Sequence, residues 1–527
     1  MFLLQASTTA LFDAADLRLI APEIILTVCA CVALVMDVVL PQGQKRVTGH
    51  FSLAALALAA ASVVVLGWPF LAAPFASGGL APSALLGFYG TVKVDGFAVV
   101  FKLILLLSAL LTVAISLRYL DVEGEQRGEF YALVLFATVG MSFLASGYDL
   151  IVLYISLELM ALTFYVLVAY TKRDRKTNEA GMKYFLLGAF SSGILLYGMS
   201  LLFGIAGSTN LGDIAPQVAR AVSLAPGAAA DTLRPITILA MIALAAGLFF
   251  KIAAVPFHMW APDAYQGAPT SVTAFLSTGS KAASFALFGR IFLEALWGMR
   301  VDWAPLLGLV AAVTILVGNW AAVTQNNSKR LLAYSSVSNA GYLLLGLVAA
   351  NGYGYTGLVV YLIVYTFMNV GAFGVIIALR RRGIIGDEVD DLTGLGQKAP
   401  GMAFMMALFM LSLGGLPVTG GFIGKWFLFG GLIQRGAADG KNWYYWLAAW
   451  AAFNTVVSFY YYVRFIRAMY IGDRPADPRP LSLSPALRWS LVACAVFVVV
   501  IGVYPHPFIK LSEAVVSTIG GGPLALR

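Results

Sequence analysis

The chain has 527 residues, 60% of them hydrophobic and only 11% charged, with a mean hydropathy of +0.86. Soluble domains carry roughly 25% charged residues, so a water-soluble globule is excluded. Basic residues outnumber acidic ones, 34 to 26, but they sit in short loops beside apolar runs. There they report membrane topology rather than affinity for nucleic acid, and no nucleic-acid partner is expected.

A membrane span needs about 20 mostly apolar residues. In chain order, about fourteen stretches qualify, near 18–40, 52–72, 97–117, 130–146, 149–170, 180–204, 236–256, 270–298, 304–324, 331–350, 356–379, 402–433, 444–469 and 487–508. The first is long enough to be a retained helix rather than a signal peptide. No alternation of period two extends over any length, so the fold class is an all-α polytopic membrane protein. The stretch from Gly207 to Pro235 reads as a surface loop, and no second, water-soluble domain is present. If the spans alternate from an outer N-terminus, 20 basic residues face inward, nine face outward and five lie inside spans. The inner set includes Lys172, Arg173, Arg175, Lys176, Lys329, Arg330, Arg380, Arg381, Arg382, Arg474 and Arg479, and the outer set includes Arg527. This asymmetry predicts a multi-pass protein of the bacterial inner (plasma) membrane with both termini on the outer, periplasmic side.

The charges within spans are Lys102, Lys251, Lys281, Arg290, Lys425 and Glu158. A charge at mid-helix costs about 2.5–3.5 kcal/mol on insertion scales, so such residues usually work in a polar interior. Arg290 and Lys102 lie near span ends, from which they are predicted to snorkel to the interface. Glu158, Lys251, Lys281 and Lys425 are deeper and form the candidate proton pathway. Lys251 precedes Pro256 in LFFKIAAVPFHMWAPD. Lys425 follows Pro417 in the glycine-rich LSLGGLPVTGGFIGKWFLF. Both prolines mark predicted helix breaks, a recurring device beside ion sites in transporters. Desolvation favours the neutral amine of lysine and a nearby carboxylate favours its ammonium, so the two together make a proton switch. Glu158 and Lys251 are predicted to form such a pair at ~4 Å, with about 4 kcal/mol of attraction at an effective dielectric near 20.

Other features lead nowhere. Gly352-Tyr-Gly354-Tyr-Thr-Gly357 fits the dinucleotide pattern, but it follows no strand and reads as a short outer turn. His258 and Asp263 are too isolated for a metal site, and no span carries facing histidines for haem. Cys29, Cys31 and Cys494 are too few for an iron–sulfur cluster and read as buried apolar side chains.

The stretches FFKIAAVPFHMWAPDAYQGAPTSV, FLSTGSKAASFALFGR, GGLPVTGGFIGKWFLF, YISLELMALTFYVLVAY and NNSKRLLAYSSVSNAGYLL resemble the antiporter-like membrane subunits of respiratory complex I, the NADH–quinone oxidoreductase. The resemblance implies fourteen helices with two inverted five-helix repeats, here 130–298 and 304–469, within a single membrane domain. It matches the family's buried fifth-helix glutamate to Glu158. The lysines of the broken seventh helix, the eighth and the twelfth match Lys251, Lys281 and Lys425. M-type subunits carry glutamate where Lys425 stands, and L-type subunits add a long C-terminal lateral helix, so both departures favour the N-type branch. The implied role is proton translocation without a redox centre in this chain. FMN, iron–sulfur clusters and quinone belong to partner subunits, and neighbouring antiporter-like subunits, peripheral subunits and lipids are the expected partners. A subunit of a multisubunit Na⁺/H⁺ antiporter, which shares the fold, is the alternative, and a structural membrane scaffold is a third reading.

Overall fold

The computed structural model describes residues 14–76, 82–172, 174–223, 228–380, 387–471 and 483–519, with only the backbone of 42 and 228–232. Arg173, Arg381, Arg382, Arg474, Arg479 and Arg527 lie outside the described residues. The first six helices are α1 (Ala21–Val39), α2 (Arg46–Ala72), α3 (Gly96–Glu123), α4 (Gly128–Ser146), α5 (Leu150–Val168) and α6 (Arg175–Ala206). A short α7 (Leu211–Ser223) leads to α8 (Ala228–Ile252) and, past an interruption, to α9 (Trp260–Gly267). The next span is assembled from α10 (Thr270–Phe275), a π-turn at Leu276–Ser280, α11 (Lys281–Gly289) and a second π-turn at Arg290–Ala295. Then follow α12 (Arg300–Val323), α13 (Ser328–Ala349), α14 (Gly352–Leu379), α15 (Leu395–Lys398), α16 (Pro400–Gly414), α17 (Gly420–Asp439), α18 (Trp443–Ile471), α19 (Pro485–Val503) and α20 (His506–Val516).

Among the described residues, eleven helices are long and apolar enough to cross a membrane. The three remaining stretches of the fourteen are 270–298, interrupted by π-turns, 402–433, broken between α16 and α17, and the aromatic-rich α18. Aspartate and asparagine set several helix starts by accepting from first-turn amides. Asp149 accepts from Ile151 N at 2.8 Å, Asn327 from Arg330 N at 3.0 Å and Asn351 from Gly354 N at 2.8 Å.

Without a hydrophobic driving force between spans, helices associate through close packing of small residues. Helix α4 packs along α5 and α6 along α8; later in the chain, α12 packs along α13 and α14 along α17. Gly318 shows how tight this is, because a Cβ there would stand 2.5 Å from the Ser338 amide nitrogen. Large apolar side chains remain outward-facing, among them Val38, Val65, Phe190, Trp446 and Val456. A two-stranded antiparallel hairpin, β1 (Leu85–Gly87) and β2 (Val92–Val94), is the only sheet among the described residues.

Loop contacts sort the chain onto two faces. On the first, Asp263 receives Lys183 at 3.1 Å and Arg330 at 2.8 Å, and Arg464 donates to the Val323 carbonyl at 2.8 Å. This is the basic face. On the opposite face, Lys93 meets Glu294 at 2.7 Å and Arg300 meets Asp439 at 3.0 Å.

Five readings of the sequence are corrected. Arg290 does not snorkel: it is fully buried and binds both oxygens of the buried Asp95 at 2.7 and 2.8 Å, Glu294 at 2.5 Å and the Ala145 carbonyl at 3.0 Å. Lys102 is also buried, 2.7 Å from Glu23 on α1. In both cases an acid distant in sequence supplies inside the protein what the interface would have supplied. The stretch read as a loop after Gly207 contains α7, whose Leu211, Ile214, Val218 and Ala221 recur at helical spacing and are buried. The glycine pattern at 352–357 is the first turns of α14 rather than a turn, and Cys31 is exposed while Cys494 is buried.

Removing one partner of a buried pair strands the other charge, at about 3–5 kcal/mol. Arg290→Met should therefore lower the amount of folded subunit in the membrane sharply. Arg290→Met combined with Asp95→Asn, which keeps the helix cap, should recover part of it. A single variant as abundant as wild type would show that the pair is dispensable.

Candidate functional site

The interruption after α8 begins at Ala253, which takes a left-handed φ of 59°. Irregular backbone at membrane depth needs protein partners for its freed groups, and they are present. The Trp260 indole donates to the Phe250 carbonyl at 2.9 Å, and the Val255 amide donates to Thr314 Oγ1 at 3.0 Å. Pro256 lies within this interruption, and Lys251 is in the last turn before it. The Lys251 ammonium is buried and donates to Ser192 Oγ on α6 at 3.3 Å.

The second interruption spans Gly415–Thr419 and contains Pro417. Gly415 adopts φ 83°, where glycine is the favoured residue. Gly421 lets the restarting helix touch the end of α16, since a Cβ there would lie 1.9 Å from the Ser412 carbonyl. Lys425 reaches back across the gap to the last turn of α16, donating to the Leu413 carbonyl at 2.9 Å. Its Nζ also sits 4.7 Å over the Tyr342 ring, a cation–π contact that strengthens when desolvated.

Lys281 lies between these two, just after the first π-turn. It is buried and donates to both the carbonyl and the hydroxyl of Ser336 on α13, the latter at 2.7 Å. The same hydroxyl meets Tyr265 OH at 3.1 Å. Helix α13 continues as a polar spine. Ser335 Oγ meets Tyr462 OH at 2.5 Å, Asn339 Oδ1 accepts from Tyr361 OH at 2.6 Å, and Tyr342 OH accepts from Thr455 at 3.1 Å. Protein hydrogen bonds and ring contacts thus run from Lys281 toward Lys425. From Lys251, ring contacts run through Phe250, Trp260 and Tyr265 to the Ser336 hydroxyl that holds Lys281.

Glu158 does not pair with Lys251 as predicted: no ion pair within 4.0 Å forms between them. Its Oε1 is buried without a hydrogen-bond partner. Glu158 shares a stripe of α5 with Ile151, Ile155, Leu162 and Val166, all exposed, whereas Lys251 is held on the α6 side. The helix face separates them. Among the described residues no cluster of three or more His, Cys, Asp or Glu could hold a metal ion.

Residues 147–450 match the family described as NADH:quinone oxidoreductase/Mrp antiporter, transmembrane. A relative from Solibacter usitatus, "NADH-quinone oxidoreductase subunit N 2", is 51% identical over 81% of this chain and 84% of its own length. "NADH-quinone oxidoreductase subunit N 1" from Koribacter versatilis is 47% identical over 96% of each chain. The chain belongs to the NADH-quinone oxidoreductase subunit N family. A solved chain from "Respiratory complex I from Thermus thermophilus with bound Aureothin" is 33% identical over 93% of this chain and 98% of its own, with a TM-score of 0.73. A chain of the Mrp complex from Dietzia sp. reaches a TM-score of 0.80 over 96% of this chain and 98% of its own at 21% identity, which shows a common fold.

The sequence reading finds the lysines but misses what holds them. Ser192, Ser336, Tyr265 and Tyr342 were not singled out. The signal was available in Ser335, Ser336, Ser338, Asn339 and Tyr342, five polar residues in one otherwise apolar span. Losing one hydrogen bond to a charged group costs about 1.5–3 kcal/mol. Ser336→Ala, which leaves the carbonyl in place, should slow proton pumping by the assembled complex, but less than Lys281→Met does. Wild-type pumping would remove the Ser336 hydroxyl from the axis.

Proposed function

We propose that this chain is a proton-translocating membrane subunit of an NADH:quinone oxidoreductase, and that Glu158, Lys251, Lys281 and Lys425 carry protons in response to redox chemistry elsewhere in the complex. The observation that carries this reading is the kind of partner each axis lysine has. Lys251, Lys281 and Lys425 bond to hydroxyls or main-chain carbonyls rather than to carboxylates. An amine held by neutral acceptors can gain and lose a proton without leaving a stranded counter-charge. A structural cation such as Arg290, locked to Asp95, cannot.

The separation of Glu158 from Lys251 is then the open state of a switch. Approach of the carboxylate favours the Lys251 ammonium, and withdrawal favours proton release toward Lys281. FMN, iron–sulfur clusters and quinone act in partner subunits, which include neighbouring antiporter-like membrane subunits and peripheral ones, with lipid around the outer helices. The two halves, 130–298 and 304–469, act as inverted repeats. This is supported by a span in each half that is broken near a buried lysine, α8–α9 in the first and α16–α17 in the second. The basic face is cytoplasmic and both termini are periplasmic, supported by the clustering of Lys176, Lys183 and Arg330 on that face.

Two experiments test the reading. Lys281→Met in the intact complex should assemble yet lose much of its NADH-driven proton pumping; normal pumping would refute it. A single cysteine replacing Lys176 should react with an impermeant maleimide only from the cytoplasmic side, and labelling from the periplasm would reverse the orientation.

A further inference from the structure

Lys329 counts as a loop cation by sequence, but in the structure it is 3% exposed. Its Nζ donates to the Ala268 carbonyl at 2.8 Å, at the junction of α9 and α10, and lies 3.7 Å from Asp387. It is therefore a third buried amine with a main-chain carbonyl acceptor, after Lys281 and Lys425. It differs from them in lying at the basic face. A pocket of about 190 Å³ lined by Lys176, Glu179, Lys183, Asp263, Gln266 and Gly267 opens there. The neighbouring Arg330 donates to Gln266 at 3.1 Å and Asp263 at 2.8 Å. Asp387 is itself bound by Arg380 at 3.3 Å, and Arg380 also binds Glu123.

Hydroxyl side chains line part of the way between Lys329 and Lys281. Lys329 and Ser336, the residue that holds Lys281, are seven apart on α13, two turns on one face and about 10.5 Å along the axis. Leu332 and Ala333 are the residues on that face between them. Three hydroxyls around the Lys329 site, those of Ser328, Thr270 and Ser271, belong to fully buried residues and have no hydrogen-bond partner in the protein. Buried hydroxyls of this kind are normally satisfied by ordered water. Thr270, Thr273, Ser277 and Lys281 then continue along one side of the α10–α11 span.

We infer that Lys329 is the entry residue of the proton path at the basic face. Its ammonium passes a proton, through water held by Ser328, Thr270 and Ser271, to the neutral amine of Lys281. Lys329 becomes the free amine and Lys281 the ammonium. Water on the basic face, beside Asp387, then returns a proton to Lys329. This rests on the reading of Lys281 as a proton carrier. The competing explanation is that Lys329 is an anchor tying the α9–α10 junction to α13.

Substitutions at Lys329, examined in the intact complex in sealed vesicles, separate the two. Arginine keeps the positive charge and can still reach Ala268 and Asp387, but it cannot deprotonate. An anchor accepts Lys329→Arg; a relay does not. The expected result is that Lys329→Met and Lys329→Arg assemble and both lose NADH-driven proton uptake on the order of tenfold. That falls short of the full contribution of a positioned proton-transfer group, because water on this face remains an alternative donor. Lys329→His, which can titrate, should pump better than Lys329→Arg. Wild-type pumping by Lys329→Arg, or Lys329→His no better than Lys329→Arg, overturns the inference. Should the Lys329 variants fail to assemble, Thr270→Val decides alone: slower pumping supports the hydrated route, and an unchanged rate overturns it. Lys281→Met run in parallel separates the two proposals. If it is impaired while the Lys329 and Thr270 variants are normal, only the entry residue is wrong; if it is normal too, the carrier reading has failed.

Discussion

An ammonium group taken out of water must be given acceptors, and which acceptors it is given decides what it can do. This chain uses two kinds. Arg290 and Lys102 are given carboxylates, Asp95 and Glu23, in fully buried pairs. Lys281 and Lys425 are given main-chain carbonyls, Lys329 a main-chain carbonyl with the Asp387 carboxylate 3.7 Å away, and Lys251 a serine hydroxyl. Removing a proton from a carboxylate-bound cation leaves an uncompensated charge in low dielectric. Removing one from a carbonyl-bound amine leaves a neutral site. On the proposed reading, the division between fixed and exchangeable charge follows partner chemistry rather than depth in the membrane.

The broken helices supply two of these acceptors, those of Lys425 and Lys329. The last turn of any helix leaves carbonyls without intrahelical partners, and ending a helix inside the protein places them where only buried donors can reach. Leu413 offers its carbonyl from the last turn of α16, and Ala268 offers its own from the C-cap of α9. Glycine and proline make the break, the break exposes the carbonyl, and the lysine fills it. Each feature would be costly alone, and together they satisfy one another.

This coupling explains what was legible in the sequence. The membrane class, the positions of the spans and both breaks follow from apolar run length and from Gly and Pro placement, which are local properties. The candidate residues Glu158, Lys251, Lys281 and Lys425 stood out because a charge in an apolar run is locally anomalous. Their partners stood out less: Ser192 is unremarkable in a helix until packing brings a lysine to it, and Ser336 and Tyr342 show only as members of a polar run in one apolar span. The same limit produced the misreading of Arg290 and Lys102. Snorkelling is the local solution for a cation near a span end, and Asp95 and Glu23 are visible only in three dimensions. Lys329 was misread for the opposite reason: its sequence neighbourhood is that of a loop, and burial comes from α9, α10 and the segment at Asp387.

The Asp95–Arg290 contact joins residues 195 positions apart. At a synthesis rate of about 5–20 residues per second, roughly 10–40 seconds separate the appearance of the two charges at the ribosome. For that interval Asp95 exists without its partner, as does Glu23 before Lys102 is made. Asp95 caps the start of α3, and Arg290 lies near the end of its own span. Each can therefore wait in the headgroup region, hydrated, while the rest of the chain is inserted. Placing the lock at the membrane edge lets the nascent chain carry charges that no finished interior yet exists to receive.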